Sequence, residues 1–167
     1  MATVNVSYGS YTALAVTALQ SMASSATVGW KSVRVDNQTS VKALDYEITV
    51  SLTTANTAPA NDKAAYVYIS PGVTTDGGTT WLQADGGTAT LPTSADASYT
   101  IASPNNLTLL GVLSYTTQQQ VIQGTFLLSS QFANMPDGFI VVIVQFTGAA
   151  LSTGCVVAYR AITQTVV

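Results

Sequence analysis

Residues 74–81 read Thr-Thr-Asp-Gly-Gly-Thr-Thr-Trp. This is the Asp-box pattern: Ser/Thr, any, Asp, any, Gly, any, Thr, Trp. Its chemistry is hydrogen bonding rather than bond breaking. An aspartate at that spacing accepts backbone N–H groups across a tight hairpin, glycine supplies positive φ, and the tryptophan packs at the base. Asp76, Gly78, Thr80 and Trp81 are therefore candidate turn residues. A single copy in 167 residues cannot build the propellers in which such boxes recur, so the motif is read as structural. Asp45 and Glu47 are a second pair of interest. Two apart on a strand, they stand about 7 Å from each other, a separation that would suit paired glycosidase carboxylates. No flanking sequence predicts a pocket that would raise one pKa. A solvated face, or a salt bridge to Lys31, Arg34 or Lys42, is the expectation. Asp76 and Asp85 each precede Gly-Gly, as calcium-loop residues can, but the dense oxygen-ligand spacing of a calcium loop is missing.

The absences narrow the chemistry further. With no histidine, Ser-His-Asp and Cys-His nucleophile pairs and histidine metal sites cannot be assembled. Cys155 is the single cysteine, so no internal disulfide forms, and it reads as a small buried hydrophobe. Neither a phosphate loop nor a G-x-S-x-G elbow is present. No catalytic residue, metal or cofactor is assigned, and a small hydrolase is disfavoured.

The elements that would carry these residues are strands. Residues 44–52 read LDYEITVSL, with Leu44, Tyr46, Ile48, Val50 and Leu52 on one side and acids, Thr and Ser on the other. That alternation predicts a half-buried strand; Tyr46 is expected to face inward. Residues 3–8 and 31–36 alternate over shorter spans, the latter with Val33 and Val35 inward. Residues 63–70, 107–115, 121–128, 139–147 and 155–163 are apolar on both sides, so they are central strands or are covered outside by a neighbour. Turn clusters separate them at 56–62, Pro71-Gly72, 76–78, 85–87, 92–98, 103–106 and 135–138. This predicts an all-β antiparallel sandwich. Tyr11, Leu14, Ala15, Ala18 and Met22 share a side at helical spacing behind Ser10, which predicts a short helix over residues 11–25. A second short turn is expected over 129–134.

Charged residues make up only 8% of the chain, net −3, with mean hydropathy +0.34. Soluble domains average about 25% charged, and a lone monomer keeps more charge on its surface. Much of this surface is therefore expected to be covered in the working state. Five cations without a basic stripe argue against nucleic acid and against an anionic membrane. The opening MATVNVSYGS lacks a basic n-region before an apolar core, so no export is expected, which also counts against an outer-membrane barrel. Eight tyrosines and two tryptophans could stack on sugars, but most fall in predicted strands as core or interface anchors.

Five stretches, in order, carry a resemblance. They are residues 19–25 (LQSMASS) with Gly29-Trp30 and 35–39 (VDNQT); Tyr66-Val67-Tyr68 with the turn to Trp81; residues 107–111 (LTLLG); residues 132–139 around Met135-Pro136; and residues 146–152 (FTGAALS) with Tyr159. Over almost its whole length the chain resembles a family of tailed-bacteriophage virion proteins. It departs just before Phe139, where Asp137-Gly138 stands in place of an aromatic or basic residue. The resemblance implies a jelly-roll-like sandwich of the capsid decoration, or cement, type. Such a protein is made in the host cytoplasm, sits on the phage head, and partners itself, as homotrimer or homodimer, and the major capsid protein. The domain reading is an N-terminal arm or short helix over 1–28 and a β-sandwich over 29–167. The arm is the segment expected to reach a neighbour, with Tyr8, Tyr11, Leu14, Met22 and Trp30 as candidate interface residues. The alternative is a tail-associated or fibre-type module that binds a cell-surface glycan.

Overall fold

A computed structural model describes residues 3–38, 42–78, 80–83, 95–101 and 107–166. The strands are β1 (Val4–Tyr8), β2 (Thr12–Ala13), β3 (Val28–Lys31), β4 (Val35–Asp36), β5 (Asp45–Thr53) and β6 (Ala64–Thr74). They continue with β7 (Trp81–Gln83), β8 (Ala97–Thr100), β9 (Thr108–Ser114), β10 (Val121–Leu127), β11 (Gly138–Gln145) and β12 (Val156–Val166). One sheet runs β1–β12–β5–β10, with β2 also on β12. The other runs β7–β6–β11–β3–β8, with β9 on β6 and β4 on β11.

The pairings are nested. β1 and β2 lie on β12, β3 and β4 on β11, β5 on β10, and β6 on β9, all antiparallel. A long hairpin rolled over on itself gives this order, with β12 closing on β5 and β11 on β6. It is the course of a jelly roll, two sheets face to face. β7 and β8 belong to the excursion between β6 and β9.

The inner faces make one core. Tyr46, Ile48, Val50 and Leu52 of β5 and Val157 of β12 meet Val67 and Ile69 of β6, Phe139, Val141 and Ile143 of β11, and Trp30 of β3. The Tyr46 and Phe139 rings join the sheets edge to face, 5.1 Å apart. The predicted alternation therefore holds from Tyr46 to Leu52. Leu44 departs from it: it lies just before β5, which begins at Asp45, and is 54% exposed, while the neighbouring Ala43 is buried in the core instead.

Four other expectations need correcting. The helix over 11–25 does not form. Tyr11 leads into β2, whose backbone finds β12 as a ladder partner, and Leu14 N–H donates to the Val157 carbonyl at 2.8 Å. Only one turn follows: Leu19 and Gln20 N–H groups donate to the Val16 carbonyl, and Ser21 then takes φ 57°. The β-branched Thr12, Val16 and Thr17 gain little from a helix once a sheet edge is at hand. β1 and β2 thus pair residues of the expected arm along β12, and Leu14 and Leu19 lie in the core.

Residues 3–8 do form a strand but bury no face, since every residue of β1 is exposed. Pro71-Gly72 is not a turn. Pro71 lies within β6, in the gap between its partners β9, which ends opposite Ile69, and β7, which starts opposite Gly72. A residue without an N–H fits such a gap. All of β11 is buried, and the cover on its outer side comes from the same chain: Tyr68, Tyr99, Ile101 and Leu107 pack over Ile140, Val142 and Val144. The expected short turn after β10 is present as a 3-10 turn over Leu128–Ser130. The expected turns at 85–87 and 103–106, residues 92–94 of the expected loop at 92–98, and Asp85 lie outside the described residues, whereas Ala97 and Ser98 of that loop open β8.

Candidate functional site

The Asp-box hairpin is the first constellation to place. It joins β6 to β7. The Asp76 carboxylate accepts the Thr80 N–H at 2.7 Å and the Thr74 hydroxyl at 2.9 Å, while Thr74 Oγ1 accepts the Gly78 N–H. Gly77 and Gly78 have φ of 69° and 100°, where a Cβ would be strained. The Trp81 indole N–H closes the turn by donating to the Gly78 carbonyl at 2.8 Å. Its ring carries the Arg34 guanidinium at 4.1 Å and rests on Gly138, where a Cβ would come within 2.7 Å of it. Asp137 adds a clamp by accepting the Thr74 N–H and pairing with Lys42. Asp76, Gly78, Thr80 and Trp81 thus come together as expected, and Trp81 is engaged by its own chain rather than offered to a sugar.

The second constellation sits on the outer face of the β12–β5–β10 sheet. Register alone assembles it: Arg160 lies opposite Glu47, Ala158 opposite Thr49, Val156 opposite Ser51, and Gln123 and Thr125 opposite Ser51 and Thr49 from the other side. Arg160 Nη2 is 3.0 Å from Glu47. The salt bridge expected to Lys31, Arg34 or Lys42 is therefore made instead by a residue 113 positions away along the chain. The guanidinium also lies over the rings of Tyr8, at 4.9 Å, and Tyr11, at 4.8 Å, and the Tyr11 hydroxyl donates to Glu47. Hydrogen bonds from Arg160 and Tyr11 hold the Glu47 carboxyl below its usual range, and Glu47 in turn raises Arg160. That is the reverse of what a general acid needs. Asp45 is spent differently, accepting the Ser129 N–H at 2.9 Å and its hydroxyl. The Asp45–Glu47 pair is thus divided between two structural roles.

The candidate interface residues separate in the same way. Tyr8 and Tyr11 are 58% and 48% exposed on this face. Leu14 and Trp30 lie in the core, so they offer no surface to a neighbour; the Trp30 indole N–H donates to Asp96 at 2.7 Å. Met22 is half-buried against the same core. Cys155 is buried, and burial pushes its thiol up, away from the reactive thiolate. Among the described residues no group of three or more His, Cys, Asp or Glu could hold a metal, and no helix is long and apolar enough to cross a membrane.

Sequence reasoning missed Arg160. Its signal was available: Asp137 and Arg160 are the sole charged side chains after position 96, and none precedes Lys31. A lone cation in an otherwise uncharged strand needs a partner, and Glu47 supplies it. The result is a sheet face whose one cation is neutralised and whose other exposed side chains include Thr, Ser, Gln, Val and Leu127, rimmed by two tyrosines. Comparison with protein-family models and with curated proteins finds no match to this chain.

Proposed function

We propose that this chain is a structural protein of a tailed-phage particle, a capsid decoration or cement protein that acts by adhesion. The observation that carries this reading is the outer face of the β12–β5–β10 sheet. Its one cation is internally paired, and Val121, Val156, Leu127 and Tyr8 are each more than two-fifths exposed there. A face of that kind suits contact with other protein surface. The jelly-roll course and the ordered resemblance along the chain support the same reading. Several copies bridging capsid subunits would stabilise the shell by mass action, by about 2.7 kcal/mol per site at a hundredfold excess over Kd.

A glycan-binding module is the second reading. Tyr8 and Tyr11, exposed beside a carboxylate, are the observation that favours it. Copy number separates the two. Particles that carry this protein are purified, and the chain is quantified by mass spectrometry against the major capsid protein. Decoration expects a ratio near that of the capsid subunit. A small fraction would move the chain to the tail or a vertex and favour the glycan reading. Absence from the particles would overturn both.

A further inference from the structure

We propose that β1 is a self-pairing edge, through which two copies of this chain join their sheets about a two-fold axis. β5 accompanies β12 only as far as Asp45 opposite Ile162. Beyond that point, among the described residues, Thr163–Val166 pair only with Ser7–Val4, so the two strands run on as a ribbon past β5. Val4, Val6 and Tyr8 are 51%, 57% and 58% exposed there. A two-stranded ribbon is marginal in water unless something packs on it.

The ladder direction is fixed by one bond. The Gly9 N–H donates to the Ala161 carbonyl at 2.9 Å. Odd residues of β1 therefore turn their backbone groups toward β12, and Val4, Val6 and Tyr8 turn theirs away. No described strand pairs with that outer side. Natural edge strands are usually guarded by charge, proline or a bulge. β1 reads Val-Asn-Val-Ser-Tyr and has none of these.

Those features select a second copy as the occupant. An antiparallel partner with Val6 opposite Val6, and Val4 opposite Tyr8, satisfies every outward N–H and C=O of Val4, Val6 and Tyr8 in both copies, six bonds in all by register. It also sets β-branched and aromatic side chains across from each other. The strand matches itself, as an isologous contact requires. Charge points the same way. Each copy has net charge −3, yet no charged side chain precedes Lys31, so copies that repel elsewhere can meet here.

The inference rests on the proposed function only in its need for an oligomer, and its first measurement uses the purified chain without capsids. Sedimentation velocity at tens of micromolar is expected to give twice the 17.3 kDa chain mass. Val6→Pro removes an outward N–H and spares the β12 ladder; Val6→Lys sets two ammonium groups face to face. Both variants are expected to sediment as monomers, with the urea midpoint that the parent shows at dilutions where it is itself monomeric. If Val6→Pro fails to fold, Val6→Lys decides alone. A monomeric parent, a trimer, or a dimer that survives both changes would overturn the proposal. So would a monomeric parent whose binding to undecorated capsids is lost in Val6→Lys, which would give the edge to the capsid subunit.

Discussion

On the outside of β11, Ile140, Val142 and Val144 lie under Tyr68, Tyr99, Ile101 and Leu107. On the outside of the β12–β5–β10 sheet, Val121, Leu127, Val156 and Gln123 remain exposed. Both faces belong to strands with almost no charge. The first is closed by the chain itself: β8 lies alongside β3, and Tyr99, Ile101 and Leu107, with Tyr68 of β6, pack over it. The second has no such cover from the described residues except at its rim, where Tyr11 reaches Glu47 and Thr49. A low charge count therefore has two separate causes here. Part of the apolar surface is a second core, and part is a face left open. Only the open part argues for partners.

The same substitution on each face tests that division. Val142→Glu would bury a carboxylate beneath Tyr68, Tyr99 and Ile101, where the charged neighbour is Lys31, opposite it on β3 with its ammonium over the Tyr99 ring. Even paired to Lys31, a carboxylate forced into that packed space costs several kcal/mol in desolvation and overpacking. The expected outcome is insoluble or unfolded protein by circular dichroism. Gln123→Glu puts the same group on the open face, where surface changes stay within about 0.5 kcal/mol. Its urea midpoint should match the parent. Folded Val142→Glu protein would show that the cover over β11 opens.

Sequence patterning could not make this distinction. Residues 139–147 are apolar on both sides whether the cover is a neighbouring subunit or Tyr99 and Leu107 of the same chain. Period two was legible from Tyr46 to Leu52 because four consecutive inward residues leave one face for the core, and the Asp-box was legible because its bonds are local. The helix over 11–25 was misread for the opposite reason. Its spacing fits a helical turn, but the residues that decide its conformation are Val157, Ala158 and Tyr159 on β12, far along the chain. Arg160 escaped notice likewise, since only the β5–β12 register brings it to Glu47. The jelly-roll course itself follows from nested long-range pairings, for which no local signal exists.

Where the two sheets meet, intermediate effects are expected. A Cβ on Gly111 of β9 would fall 2.1 Å from the Phe126 ring of β10, which also lies close against Gly124. Gly111→Ala should cost roughly 1–3 kcal/mol through overpacking. Adding Phe126→Leu should recover part of it, read from the denaturation midpoints. Tyr46 offers a titration at the same seam. Its hydroxyl donates to Asn37 at 2.9 Å, and burial, then Tyr159 and Asp36, push its pKa up to about 12. A raised folded pKa gives stability that is complete below the unfolded value near 10 and is lost as pH climbs toward 12. A shift of that size corresponds to roughly 3 kcal/mol. Tyr46→Phe should lose about 1 kcal/mol at neutral pH and unfold less steeply between pH 10 and 12. The flattening will be partial, because burial raises Tyr115 as well.

The smallest effect belongs to the open face and asks whether its ion pair does more than neutralise charge. Glu47 is held below its ordinary value of 4.5, first by the Arg160 hydrogen bond and then by Tyr11. A depressed folded pKa gives stability that is present above the unfolded value and lost as pH falls through the folded one. Acid should therefore weaken the native chain below about pH 4.5, and Glu47→Gln should remove that dependence while changing neutral stability little. The informative reading is the behaviour of Tyr8 and Tyr11. With Glu47 neutral, Arg160 loses its anchor, and the two rings that it orders beside β1 should become more mobile, visible as sharper tyrosine signals by NMR. If they stay fixed, the β1–β12 ladder alone sets that edge, and the open face is rigid without its charges.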